Sequence, residues 1–412
     1  MTKTITKCRV CGNDNLVTVM SLGEQALTGV FPKSKTEKIT TGPVDLVQCI
    51  GENKCGLVQL KQSYDLSEMY GMNYGYRSGL NSSMVKHLNS KVENILASGT
   101  LEQGDLIIDI GSNDGTTLRA YPANKYQLVG IDPTGIKFSS YYPPEIKLIV
   151  DFFSASVVNK ALSVQKAKVI TSFSMFYDLE DPVAFAREIE GTLDEDGVWI
   201  FEQSYLPSML RTNSFDTICH EHLEFYSLKQ INWIAKEAGL KVLDVEFNEV
   251  NGGSFSITAA KSNSKRKANT EWLNKIIDDE NALGLETTEA FEAFKVRVAA
   301  SRQKLMNFLH EAKLSGKSVC GLGASTKGNV LLQYYGIDQS LLSKIGEVNE
   351  DKFGSLTPGT SIPLCPESEV LRSSPDYLLV LPWHFKEFFL SLPSMKGRKL
   401  VFPLPEFEIV NC

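Results

Sequence analysis

Residues 105–115, DLIIDIGSNDG, constrain this chain more than any other stretch. Leu106, Ile107, Ile108 and Ile110 make a short apolar run bounded by polar and glycine signals, the pattern of a strand covered on both faces. Gly111 and Gly115 permit a tight turn and a close approach of backbone to a ligand. A helix opening near Thr116 points its free N–H groups back at that ligand. A second strand, residues 127–132 (QLVGID), ends in an acid 21 residues after Gly111. A carboxylate at that strand tip is placed to accept hydrogen bonds from both hydroxyls of an adenosine ribose. The expected fold class is therefore α/β, with a doubly wound sheet at its centre.

Three readings of this turn stand open. A dinucleotide site wants G-x-G-x-x-G, whose middle glycine makes room for a pyrophosphate, but Asn113 and Asp114 separate the glycines here. An aspartate at that point suits a cation better. S-adenosylmethionine has no phosphate and carries a sulfonium and an ammonium, so the residues favour it over a nicotinamide dinucleotide or a purely structural turn. Asp109, Gly111, Asn113, Gly115 and Asp132 are the cofactor-binding candidates, joined by Asp151 and Phe152 after a third strand, where an acid followed by aromatics can bracket an adenine.

The 412 residues suffice for two to four domains with a well-buried core. Net charge is −7 with no long basic run, which argues against nucleic acid as a partner. No apolar stretch is long enough to span a membrane, and the N-terminus lacks a signal-peptide core, so a cytoplasmic protein is expected. Four of the eight cysteines cluster, as Cys8/Cys11 and Cys49/Cys55, with 37 residues between the pairs. That is the spacing of a Cys₄ zinc ribbon, a closed tetrahedral shell with no open position for catalysis. Four free thiols, or a redox Cys-x-x-Cys, are the alternatives. The second pair has five intervening residues, wider than usual. A segment this small lacks the core to fold alone, so zinc would supply much of its folding free energy.

A Tyr-, Gly- and Ser-rich stretch follows, in which Tyr70, Tyr74 and Tyr76 suit a lid or substrate loop. Beyond the opening strands, further strands are read at 146–150, 168–174, 198–202, 242–247 and 255–260, with helices at 182–193 and 228–239. Between the fifth strand and the second of those helices lies FDTICHEHLEFYS, residues 215–227. His220, Glu221, His222 and Glu224 read as an acid/base centre, a histidine near neutral pKa beside carboxylates that set its tautomer. A His-x-His metal site and a solvated loop are the other readings. Residues 262–315 read as a solvated helical linker. Residues 317–328, KSVCGLGASTKG, repeat the strand–glycine–helix theme, and with Lys327 suit a pyrophosphate at a helix N-terminus. Strands at 345–349 and 377–381 complete a second, smaller doubly wound domain.

Taken jointly, the two cysteine pairs, DIGSNDGT, FDTICHEHLEFYS and GLGASTKGN resemble the nucleotide-sugar C-methyltransferases, S-adenosylmethionine-dependent enzymes that methylate C3 of 4-keto-6-deoxysugars. The resemblance covers essentially the whole chain. It implies a zinc-binding N-terminal domain with substrate loop (1–75), a methyltransferase domain (76–261), the linker (262–315) and a Rossmann-like nucleotide-sugar-binding domain (316–412). It implies His222 as the base with Glu221 beside it, and Tyr76 of Tyr76-Arg77-Ser78 on the sugar. Cys219, Lys327 and Asn329 join Tyr76 as substrate-binding candidates, and Cys8, Cys11, Cys49 and Cys55 as zinc ligands. The implied partner is a GDP- or dTDP-linked 4-keto-6-deoxysugar, met by a monomer or weak dimer. The chain departs from some members at Cys219, Phe173 and Tyr177, positions that line the sugar site, so its sugar is expected to differ from an aminosugar. In the implied chemistry His222 removes the C3 proton, and Tyr76 or a backbone N–H donates to the enolate oxygen. An O- or N-methyltransferase and a nicotinamide-dependent oxidoreductase are the rival classes.

Overall fold

Alternating apolar residues build an antiparallel sheet that carries Cys49. The computed structural model describes residues 2–69, 76–163 and 165–412. Tyr70 and Tyr74, read above as loop residues, lie outside those described. The N-terminal part contains β1 (Lys3–Thr4), β2 (Leu16–Ala26), β3 (Thr41–Cys49), β4 (Val58–Leu60) and β5 (Gln62–Ser63). β2, β3 and β4 pair antiparallel, and β3 ends on Cys49, so the sheet itself delivers that thiol.

The central part contains β6 (Leu106–Ile110), β7 (Gln127–Ile131), β8 (Ile146–Ile149), β9 (Ala167–Phe173), β10 (Leu193–Ser204), β11 (Glu224–Phe225), β12 (Leu240–Asn248) and β13 (Ser254–Lys261). Seven of these form one sheet in the order β12-β13-β10-β9-β6-β7-β8. β13 is antiparallel to both its neighbours and the other pairings are parallel. Every residue of β6 is buried, as its apolar run requires. Chain order reverses between β6 and β9, and the crevice beyond their carboxyl ends is where an open α/β sheet binds its ligand.

β11 does not join that sheet. It pairs antiparallel with β4, Glu224 opposite Gln59 and Phe225 opposite Val58. Leu60 N–H also donates to the Leu223 carbonyl at 2.8 Å. The segment around His222 thus completes the N-terminal sheet, and a division of the chain at 75 and 76 misses this exchange.

The C-terminal part contains β14 (Val319–Leu322), β15 (Ile345–Glu347), β16 (Leu364–Pro366), β17 (Tyr377–Val380), β18 (Lys399–Phe402) and β19 (Glu408–Asn411), in the order β16-β15-β14-β17-β18-β19. Only the β18–β19 pairing is antiparallel. The segment read as a solvated linker holds two helices, Thr270–Ala282 and Glu289–Leu314. The longer one is not solvated. Phe291, Phe294, Val298, Leu305 and Leu309 recur at helical spacing and are buried in one core with β14, β17 and the N-terminal β2–β4. Charged residues on its outer face mask this stripe in the sequence. Cys8, Cys49 and Cys55 instead pack into the core of the central sheet, with Phe176 and Tyr226. The N-terminal sheet is therefore wedged between the other two parts.

Candidate active site

The glycine turn after β6 forms as its sequence demands. Gly111 and Gly115 take φ of 68° and 71°, a backbone region open to glycine at little cost. Asp132, at the tip of β7, accepts from Asn113 N–H and Thr134 N–H, both at 2.7 Å. Beyond the turn opens a cavity of about 310 Å³, lined by Asp109, Gly111, Asn113, Asp132, Phe152 and Tyr76 among others. Its lining combines the acids Asp109 and Asp132 and the turn residues with the apolar Phe152, Phe153, Phe173, Met175 and Phe185. A ribose-binding carboxylate, an aromatic and apolar slot for a purine, and acids for a sulfonium and an ammonium fit S-adenosylmethionine. Asp109 is buried with Thr171 donating to it at 2.6 Å, and burial pushes its carboxyl up to about 7.

Several candidates turn out differently. Asp114, the reason for preferring a cationic ligand, faces away from the cavity: Thr116 and Gly79 N–H donate to its two oxygens. Asn113 lines the cavity, and its side chain accepts from Ser78 N–H and donates to the Tyr76 carbonyl. These two residues hold segment 76–79 onto the turn. Asp151 stands outside the cavity, exposed, its carboxylate accepting from the next N–H, that of Phe152. Tyr76 is 47% exposed at the cavity rim. Sequence reading missed Ser174, Met175, Met84 and Leu88, which complete the walls. Ser174, with φ of 55° directly after β9, sits at the strand tip that a switch-point argument would have flagged.

The loop after β9 joins this cavity to the HEH segment. Met175 and Asp178 line the cavity, and between them Tyr177 packs edge-on against His222, ring centroids 4.4 Å apart. His222 Nδ1 lies 2.8 Å from the Thr217 carbonyl. A carbonyl can only accept, so Nδ1 carries the proton and Nε2 is left with its lone pair. Burial first, and then the positive charge of Lys327, hold the His222 imidazolium down at about 4, so the ring is neutral near pH 7. Beside it, burial pushes Glu221 up to about 7. Its Oε1 occupies the space a β-carbon on Gly29 would fill, 2.4 Å away, so the N-terminal part forms one wall of the site.

The remaining HEH residues are structural. His220 Nε2–H donates to the Gln25 carbonyl at 3.2 Å, and its ring meets Tyr64 edge-on. Glu224 is buried with Arg9, between the first two cysteines, 3.7 Å away. They do not share the acid/base role, because both point into the N-terminal sheet. Cys219 is fully buried, its sulfur 4.0 Å from Glu221 Oε2, and backs that carboxyl rather than offering a surface to a ligand. Asn329 is also fully buried and donates to the Thr28 carbonyl at 2.7 Å, tying the C-terminal part to the N-terminal one. Lys327 is buried and donates to the Asn251 carbonyl, which turns it toward the central part.

The four clustered thiols converge. Cys8 and Cys55 sulfurs lie 3.5 Å apart, as do Cys11 and Cys49, and all four lie within 4.8 Å of one another. A tetrahedral zinc with bonds of about 2.3 Å spaces its sulfurs by roughly 3.8 Å, so the set fits zinc. The wide second loop is accommodated by Gly51 and Asn53 at positive φ.

Three family models tile the chain. One described as "Putative zinc binding domain" matches residues 8–70, a methyltransferase domain matches 84–245, and a C-methyltransferase C-terminal domain matches 249–405. With the cavity and the thiol cluster, these define a zinc-binding, S-adenosylmethionine-dependent C-methyltransferase. The C-methyltransferase NovU of Streptomyces niveus is 27% identical over 422 residues, spanning 99% of this chain and 97% of that one. The nicotinamide and the O- or N-methyl readings fall with that assignment. Among solved structures, the CcbJ methyltransferase of Streptomyces caelestis aligns over 43% of this chain and 90% of its own at 10% identity and a TM-score of 0.34. An S-adenosylmethionine-dependent methyltransferase of Clostridium acetobutylicum aligns over 43% and 92% at 16% identity and a TM-score of 0.33. Likeness at those scores carries no argument. Among the described residues no helix is long and apolar enough to cross a membrane.

Proposed function

We propose that this C-methyltransferase acts on C3 of a nucleotide-linked 4-keto-6-deoxysugar, in deoxysugar biosynthesis, with His222 as the base. The observation that carries this is the Nδ1–H···O=C bond to Thr217, which leaves Nε2 bare next to the loop that walls the cofactor cavity. A ketone at C4 acidifies the C3 hydrogen. His222 Nε2 takes that proton, the C–H pair becomes the C3–C4 double bond, and the carbonyl π pair moves to oxygen. S-adenosylmethionine, when bound, supplies the electrophilic methyl that the C3 electron pair then takes up, its sulfur keeping the bonding pair. Asp109, Gly111, Asn113, Asp132 and Phe152, which line the cavity, would hold the cofactor, and the four cysteines a structural zinc; Gly115 stands outside that lining, packed against the Tyr142 ring, and serves the turn alone. Glu221, carrying its proton over much of the neutral range, is the neighbour able to donate to a sugar oxygen. Tyr76 closes the cavity rim toward the sugar.

The test is incubation with S-adenosylmethionine and a panel of dTDP- and GDP-linked 4-keto-6-deoxysugars in deuterated water, with products read by mass spectrometry. A methyl gain with loss of the C3 hydrogen supports the reading and names the nucleotide. Methyl gain on oxygen or nitrogen, or none with any sugar despite cofactor binding, overturns it.

A further inference from the structure

Arg9 stands between the clustered thiols of Cys8 and Cys11, yet its side chain turns inward and is 2% exposed. Its guanidinium reaches three separate segments. Nη1–H donates to the Leu60 carbonyl of β4 at 2.6 Å. Nε–H donates to Glu180 Oε2 at 3.4 Å, and the same nitrogen lies 3.7 Å from Glu224 Oε1. The Arg9 backbone N–H donates to Gln59 Oε1 at 3.1 Å, which fixes where the side chain starts. Among the described residues Arg9 is the only cation paired with either carboxyl.

Two of these contacts belong to the candidate active site and not to the thiol cluster. Glu180 lines the cofactor cavity, at the end of the loop that also supplies Ser174 and Met175. Glu224 opens β11, two residues after His222. The segments are laced to each other as well: Leu60 N–H donates to the Leu223 carbonyl, and Leu223 N–H to the Tyr177 carbonyl, both at 2.8 Å. The Tyr177 ring in turn packs on His222. His222 and this wall of the cavity thus hang on one strand and one loop, and the guanidinium spans both. Its planar fork holds several acceptors in fixed directions, which a lysine ammonium on a flexible stem does not. Removing it leaves the buried Glu224 carboxyl with no counter-charge and frees Glu180 from the strand.

Methyl transfer needs two placements at once. The base must meet the acidic hydrogen, and the methyl donor must stand in line with the carbon that loses it. Deprotonation depends on the first alone. We infer that Arg9 is a positioning residue, through which the cysteine knuckle sets the cavity loop 174–180 against the strand that follows His222. This rests on the 4-keto-sugar reading with His222 as base. Without Arg9 the enolate still forms, but the methyl is misplaced. The C3 electron pair then takes a proton back from the His222 ring more often than it takes the methyl.

The test compares wild type with Arg9→Met, with Glu180→Ala and with the double variant. Three quantities are read in deuterated water: zinc content, deuterium exchange at C3 without S-adenosylmethionine, and the ratio of exchange to methyl transfer at saturating S-adenosylmethionine. The inference expects exchange within about threefold of wild type and methyl transfer lower by about 10–100-fold, so that the ratio rises in each single variant. The double variant should be no worse than Arg9→Met, because both changes break the same contact. An unchanged ratio, with both activities falling in step with zinc content, assigns Arg9 to the cysteine knuckle alone and overturns the inference. Additive losses in the double variant overturn it too. Glu180 lies outside the knuckle, so an unchanged ratio in Glu180→Ala is decisive against the inference even where Arg9→Met fails to fold. A wild type that neither exchanges nor methylates any 4-keto sugar overturns the underlying reading and the inference together.

Discussion

The central and C-terminal sheets carry the same device with opposite results. Each runs a strand into a glycine at positive φ, Gly111 and Gly323, then a helix, then a second strand ending in an acid. In the central sheet that acid, Asp132, lines an open cavity. In the C-terminal sheet Glu347 is consumed by its own turn: it accepts from Ala324, Val348 and Asn349 N–H at 3.0, 2.7 and 2.9 Å. Lys352 lies 3.7 Å from it and donates to the Ala324 carbonyl at 2.7 Å. Pro382 sits 2.7 Å from where a β-carbon on Gly323 would lie. A glycine turn with a distal acid is therefore a way to connect strand and helix. Whether it binds a ligand depends on what the neighbouring loops place over it.

The sharpest way to break this comparison is at the base. If the open turn serves His222, His222→Ala lowers methyl transfer and C3 exchange by about 10³-fold with S-adenosylmethionine affinity unchanged. Full activity in that variant, with Glu221→Ala inactive, would move the base to Glu221. Next is the metal. Three of its ligands pack into the core of the central sheet, so Cys49→Ser is expected to lose zinc and to lower the thermal midpoint by about 5–10 °C. Metal content by emission spectroscopy and a calorimetric scan check both. An unchanged midpoint in zinc-free protein would detach the thiol cluster from the central fold.

The two acids then give a direct contrast. Asp132→Ala is expected to weaken S-adenosylmethionine binding about 10–100-fold by calorimetry, and Glu347→Ala by less than twofold. Equal losses would mean that the C-terminal turn also supports the cofactor. The smallest effect is on pH. His222 starts from an ordinary histidine value of 6.5 and is held down at about 4 by burial and Lys327. The base is competent only when neutral, so the acid limb of kcat/KM should fall well below pH 6.5. In Lys327→Met the limb should move up, because one opposing charge is gone while the burial of the ring remains. A limb that stays in place would put Lys327 out of reach of the base.

Local patterns were legible. The apolar run of β6, the glycines after it and Asp132 follow from a few consecutive residues, and so did the cofactor. The cysteine spacing predicted a convergence that the sulfur distances bear out. The HEH segment was recognisable as unusual, yet its four polar residues could not be sorted. His220 and Glu224 are spent on Gln25 and Arg9, partners about 200 residues away in the chain, which leaves His222 and Glu221 for the proposed chemistry. The long helix 289–314 was misread because its charged face hides the stripe that it buries.

Backbone geometry and ligand chemistry written within a dozen residues are what the sequence by itself determined: the strand–glycine–helix units, the zinc knuckle and a histidine with a carboxyl beside it. The tertiary structure alone decided which acid stays open to a ligand, that β11 crosses into the N-terminal sheet, and that Lys327 is buried against the Asn251 carbonyl. The physical reason is that burial, and the partner a charge finds once buried, depend on segments that meet only when the three parts close on one another.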